Sequence, residues 1–149
     1  MSPEVIIAGW TRGLAPLGEA LFRLLMAPIF IVGGLGHFVE QDQMLARIGD
    51  SPWAGLVGQI GDPAFLLEFS GVNFIVFGLL LLVGWQARLA ALVLFATLVP
   101  ITIAIHIAPG HTGPLLKNVA ILGGLFLIFV KGAGAWSIDR ARAHLDSRV

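Results

Sequence analysis

Four apolar runs dominate this chain, and each is long enough to cross a lipid bilayer. A transmembrane helix needs about 20 mostly apolar residues to span about 30 Å of hydrocarbon. The runs Leu17–Phe38, Ala64–Gly84, Ala87–Ile107 and Pro114–Lys131 meet that length. Hydrocarbon offers no water to bond a bare peptide group, so such runs must satisfy their backbone internally, as helices. Composition agrees: of 149 residues, 57% are hydrophobic and 12% charged, with a mean hydropathy of +0.91. A soluble domain carries about 25% charge, and one this apolar would expose large sticking patches. The expected fold is an all-α membrane protein, an antiparallel four-transmembrane-helix bundle forming a single domain over residues 1–149.

The connections differ in kind. Gly84-Trp85-Gln86 reads as a tight hairpin and Ala108–Gly113 as a short Pro/Gly turn. Val39–Pro63 reads as a true loop, punctuated by Asp50-Ser51-Pro52 and Gly61-Asp62-Pro63, with Trp53–Ile60 as a short interfacial helix. After Lys131 the Gly-Ala-Gly-Ala run stops the last span. Ser137 is then placed to N-cap a short amphipathic C-terminal helix, with Asp139 near its positive end and Ile138, Ala141 and Leu145 on one face.

Lysine and arginine set the orientation. Arg12, Arg88, Lys131, Arg140, Arg142 and Arg148 flank one side, whereas the other has Arg47 among Glu40, Asp42, Asp50 and Asp62. This places both termini in the cytoplasm and the long loop outside. Trp10, Trp85 and Trp136 fall at the inner edge and Trp53 at the outer one, where indoles prefer to sit. Glu19 and Arg23 within the first run, and no clear small-residue cleavage motif after it, argue for a signal anchor rather than a cleaved leader. Gly33, Gly34, Gly36, Gly71, Gly78, Gly123 and Gly124 offer close helix packing, and Pro28 and Pro100 offer kinks.

Several function classes fall away. The net charge is zero and there is no basic tract with interleaved aromatics, so nucleic acid is not a partner. Without cysteine there is no thiolate nucleophile, disulfide or iron–sulfur ligand. Tyrosine is absent too. Proton or redox chemistry falls to His, Asp, Glu, Lys, Arg, Trp or a bound cofactor.

The titratable residues concentrate near the ends of the spans. His37, Glu68, His106, His111, Lys117 and Asn118 are expected at one depth near the outer mouth. Ionisable groups in a membrane are costly and usually find partners inside a bundle. Glu68 and Lys117 are therefore expected to pair, so that Glu68→Ala would disturb the protein more than His111→Ala. The cluster reads as a structural ion pair with interfacial histidines, or as a pocket in which Glu68, Lys117, Asn118, His106 and His37 hold a quinone or similar amphiphile. A metal held by His37, His106 and His111, with Glu68, is a third option, although five residues across a Pro-Gly turn do not place His106 and His111 on one helix face. Haem between His37 and His106 is a fourth. Nearer the cytoplasm, Glu19 and Arg23 lie i, i+4 in the favourable order, with Arg23 expected to snorkel inward or to contact an anion.

The chain resembles the DoxX family. The resemblance rests on Leu21-Phe22-Arg23-Leu24-Leu25, Gly34-Leu35-Gly36-His37, Leu67-Glu68-Phe69-Ser70-Gly71, and Gly78 to Gly84 followed by Ala87-Arg88-Leu89-Ala90-Ala91. It continues through Lys117-Asn118 and Leu122-Gly123-Gly124-Leu125 to the closing Gly132-Ala133-Gly134-Ala135-Trp136-Ser137-Ile138-Asp139, its most specific piece. The resemblance implies a bacterial four-helix membrane protein. The family includes small subunits associated with quinone-linked sulfur oxidation and membrane partners of soluble redox enzymes. Arg23, Glu68, Lys117, Asn118 and Asp139 occupy the matching motifs, whereas the His106–His111 turn varies within the family.

Three functions follow as expectations. The first is a membrane subunit of a redox system, an anchor or quinone-binding subunit for a partner oxidoreductase at the cytoplasmic face, possible also as a homo-oligomer. The second is a structural or assembly protein without catalysis. The third is a small-solute permease, against which stands the sparse polar lining between the two ends: Asn73, Thr97 and Thr102.

Overall fold

In the computed structural model, which describes residues Ser2–Ser147, the chain is helical with no strand among the described residues. Arg148, counted above among the flanking cations, lies outside them. In chain order the helices are α1 (Pro3–Thr11), α2 (Ala15–Val39), α3 (Gln41–Gly49), α4 (Ala54–Ile60), α5 (Pro63–Val83), α6 (Ala87–Ile101), α7 (Thr112–Lys131) and α8 (Ile138–Asp146). A 3-10 turn, Arg12–Leu14, joins α1 to α2, and a π-helical turn, Thr102–His106, extends α6.

Four stretches have the length and apolarity to cross a membrane: Pro3–Val39, Pro63–Val83, Ala87–His106 and Thr112–Lys131. The first differs from expectation. It begins not at Leu17 but at Pro3 and runs for 37 residues, about 55 Å at the helical rise and well beyond the hydrocarbon thickness. Proline at the first helical position starts α1, since the missing N–H would have had no partner there. Asp62 and Pro63 do the same for α5, the Asp62 carboxylate accepting from Phe65 N at 3.4 Å. The long loop also differs. Besides the expected helix near Trp53–Ile60 it holds α3, so the connection is a helical pair rather than a loop.

Pairing follows from which residues touch. Along α2 and α5, Arg23 meets Leu82, Phe30 meets Gly78 and Phe74, Gly34 meets Gly71, and His37 meets Leu67. Along α6 and α7, Arg88 meets Phe129 and Thr102 meets Asn118. In both pairs the chain positions run in opposite directions. The core is built where these pairs meet, from Ala27, Phe30, Leu81, Ala87, Ala90, Ala91, Leu94 and Leu125, all at most 1% exposed. Leu25, Val32, Leu116 and Phe126 point outward, as lipid-facing residues must.

Small residues permit the close approach. An added Cβ on Gly34 would sit 2.7 Å from Gly71 O, and one on Gly78 would sit 3.0 Å from the Ile31 side chain. Gly124 is covered by Met26 and Phe22 of α2, which brings the fourth span against the first. Gly33 and Gly123 face open space and pack nothing. Pro28 lies inside a helix that continues unbroken to Val39, whereas Pro100 is followed at once by the π turn.

Candidate functional site

Polar groups gather at the two ends of the bundle, and the ends are built differently. At the arginine end, Arg23 is 3% exposed. Its Nε donates to Leu82 O (3.3 Å), Nη1 to the carbonyls of Ala133 and Ala135, and Nη2 to Trp136 O (2.8 Å). Glu19 Oε2 accepts from Ala135 N at 2.9 Å. The expected i, i+4 bond between Glu19 and Arg23 is thus replaced: both grip the Ala133–Trp136 loop, and Arg23 is enclosed rather than snorkelling. The cause is local. Gly132 and Gly134 take positive φ (90° and 73°), and the loop folds its carbonyls toward the guanidinium. An Arg presents five donors in a fixed fork and suits such a cage.

Asp139 was expected to serve its own helix. Its carboxylate instead accepts from Gln86 N (2.7 Å) and Ala87 N (2.9 Å), capping α6, while its N–H donates to Gly84 O at 3.0 Å. Ser137 caps α8 as expected, accepting from Arg140 N at 3.2 Å. Arg88 closes the end of α7, donating to the carbonyls of Phe129 (2.6 Å), Val130 and Lys131 (3.2 Å). Glu19, Arg23, Arg88 and Asp139 are thus spent on backbone groups, and this end reads as a structural clamp.

The histidine end holds a half-open cavity of about 710 Å³, lined almost entirely by apolar side chains. Its walls are the far end of α2 (His37), α5 from Leu66 to Ser70, and α6 with its π turn from Leu92 to His106. Its cover is the α3–α4 pair, through Met44, Arg47, Ile48, Trp53, Leu56, Val57 and Ile60. The cover is pinned to the π turn. Ser51 Oγ donates to Ala104 O, Trp53 Nε1 donates to Ile107 O (3.2 Å), and Ser51 Oγ also accepts from Trp53 N (3.1 Å). Carbonyls at the irregular end of the third span are thereby satisfied by the loop that covers it.

His37 is 8% exposed, and its Nδ1 lies 3.1 Å from Leu67 O and 2.9 Å from Ser70 Oγ. Ser70 Oγ in turn donates to Leu67 O at 2.8 Å. His106 also lines the cavity, and its Nδ1 is buried without a hydrogen-bond partner. His111 sits beside it, ring centroids 5.8 Å apart, with Nδ1 donating to Ile105 O at 2.8 Å.

The remaining expected residues stand elsewhere. Glu68 is exposed and accepts from Gln41 Nε2 at 2.9 Å. Lys117 is exposed on α7. No ion pair joins them among the described residues, because Glu68 points away from the buried seam that Leu67, Ser70 and Gly71 occupy. Asn118 is buried, donating to Thr102 Oγ1 at 3.0 Å, which itself bonds Leu98 O at 2.7 Å; it holds α7 to α6. Neither Glu68, Lys117 nor Asn118 lines the cavity. No three His, Asp or Glu side chains converge as a metal set among the described residues, so His37, His106 and His111 form no such cluster. Sequence reasoning names Ser51, Ser70 and Thr102 but gives none of them a bonding role at the site. The signal for Ser70 was present, a hydroxyl on the buried stripe of an otherwise apolar span, three residues after Leu67.

The chain is similar over much of its length to known membrane proteins. It is 32% identical over 136 residues to the inner membrane protein YqjF of Escherichia coli, covering 87% of this chain and 95% of that protein. It is 28% identical over 149 residues to the membrane protein Rv3486 of Mycobacterium tuberculosis, covering 88% of this chain and 86% of that one. No solved structure matches it. The DoxX family model matches residues 18–107, a segment that holds Arg23, His37 and every span lining the cavity, and the chain belongs to the DoxX family.

Proposed function

We propose that this protein is a membrane subunit of a redox system that binds a quinone-like amphiphile in the cavity at its histidine end and anchors a partner oxidoreductase. The cavity carries the reading. Its volume, about 710 Å³, suits a drug-sized ligand. Its lining is apolar apart from a few groups, of which His37, Ser70, Thr97 and His106 come from the spans. That pattern fits a ligand with a greasy body and a small polar head. The chain brings no thiol of its own, so oxidation would be completed by a partner or a bound cofactor.

Location follows the same reasoning. The excess of Lys and Arg at the arginine end supports that end in the cytoplasm, with both termini inside. The similarity to YqjF, an inner membrane protein, supports the bacterial inner membrane. One domain over the whole chain fits its length.

Trp53 supplies the test, since it lines the cavity while Trp10, Trp85 and Trp136 do not. Titrating the purified protein with a short-chain quinone should give saturable quenching that Trp53→Phe largely removes. Non-saturable quenching, equal in the variant, would leave the assembly-protein reading in its place.

A further inference from the structure

The hydrogen bonds around His37 decide which ligand head the cavity accepts. Leu67 O lies 3.1 Å from His37 Nδ1, and a carbonyl lone pair tolerates that contact only if Nδ1 carries a proton. The serine agrees. Its hydroxyl proton is committed to Leu67 O at 2.8 Å, so Ser70 Oγ presents a lone pair to Nδ1 at 2.9 Å. Three contacts close in one way: Nδ1–H donates, shared between Leu67 O and Ser70 Oγ. No carboxylate lines the cavity or bonds the ring among the described residues, so the buried imidazole is in its neutral form. Nε2 is then a bare acceptor.

That acceptor is open. His37 is 8% exposed, yet Nε2 makes no hydrogen bond and is not enclosed, for the single enclosed and unpartnered side-chain nitrogen or oxygen among the described residues is His106 Nδ1. The space that His37 lines is the cavity. Phe74, with its ring centroid 5.4 Å from that of His37, and the Leu67–Ser70 contacts fix the plane of the imidazole.

Resting on the amphiphile reading above, we infer that the cavity is selective for a hydroxyl-headed aromatic amphiphile, a hydroquinone or phenol, whose O–H donates to His37 Nε2. A quinone carbonyl brings only lone pairs and would face Nε2 without a proton between them. The Nδ1–H donor is already spent on the backbone of α5. Selectivity for the reduced form is thus set by a backbone carbonyl of α5 through the proton it fixes on Nδ1.

Three probes with one alkyl tail separate the claims: a decyl-substituted hydroquinone kept reduced, its dimethyl ether, and the corresponding quinone. Binding is measured by calorimetry on the purified detergent-solubilised protein. The hydroquinone should bind about tenfold tighter than either other probe, the worth of one well-shielded hydrogen bond. His37→Asn keeps an amide donor near the Nδ1 position and removes Nε2. It should bind all three alike, near the dimethyl ether's affinity for the parent protein. If the parent protein binds all three equally, or prefers the quinone, the hydroxyl selectivity is overturned while the amphiphile site stands. A tenfold preference that persists in a folded His37→Asn variant overturns the role of His37. No saturable binding of any probe overturns the proposed function and this inference with it.

Discussion

Arg23 and Glu68 show how differently two charges of the same membrane helices behave. In the sequence both stand as intramembrane ionisable groups with a charged residue as the expected partner. Arg23 has backbone carbonyls instead, four of them from Leu82, Ala133, Ala135 and Trp136. Glu68 has a half-buried amide, Gln41. Arg23→Ala should therefore lower stability in detergent by about 3 kcal/mol or more, because buried carbonyls lose a charged donor. Arg23→Lys should not restore it, since one ammonium cannot reproduce the fork. Glu68→Ala should change stability by about 0.5 kcal/mol or less, as an exposed substitution does. Thermal unfolding of the three variants checks the order. It reverses the weight given to Glu68 from sequence alone. Depth along a helix was legible, but the azimuth that turns residue 68 outward and residue 67 inward was not, because α5 is apolar almost all the way round.

At the scale of elements, the helices themselves were the most legible part, since hydrocarbon leaves a long apolar run no other form. The connections were less so. α3 was read as loop because its polar residues, Gln41, Asp42 and Gln43, resemble a solvated linker, and its helical form depends on what it covers. The tail was read as a membrane-surface helix. It is also tied to the Gly84–Gln86 hairpin: Asp139 caps α6, its N–H holds Gly84 O, and the Arg142 guanidinium lies 5.3 Å from the centre of the Trp85 ring. Asp139→Ala should therefore act on α6, costing about 1–2 kcal/mol for the lost cap, and should raise amide exchange at Gln86 and Ala87 more than within α8. Gly84 is the tightest point of this junction. It adopts φ +67°, and an added Cβ would stand 2.5 Å from Ser137 Cβ. Gly84→Ala should destabilise by more than the ~1 kcal/mol of backbone strain alone, read as a lower unfolding midpoint.

For the whole molecule, the two ends divide the labour of one bundle. One end spends Glu19, Arg23, Arg88 and Asp139 on the backbone and holds the spans, hairpin and tail together. The other leaves imidazole nitrogens, His37 Nε2 and His106 Nδ1 among them, without hydrogen-bond partners among the described residues beside an apolar chamber. That chamber was invisible in the sequence because it forms between segments distant along the chain. Its walls are apolar residues indistinguishable from packing residues, and its cover is the pair α3–α4. The division has a directional consequence if charge sets orientation: the cover should face the outside and the clamp the cytoplasm. The chain contains no cysteine, so a single introduced one reports its own side. Gln43 and Ser147 are both exposed, one on the cover and one just past α8. In intact spheroplasts a membrane-impermeant maleimide should label Gln43→Cys at once and Ser147→Cys only after lysis. The opposite pattern would put the chamber on the cytoplasmic side, and any amphiphile it holds would then meet its redox partner at the α3–α4 cover rather than at the tail.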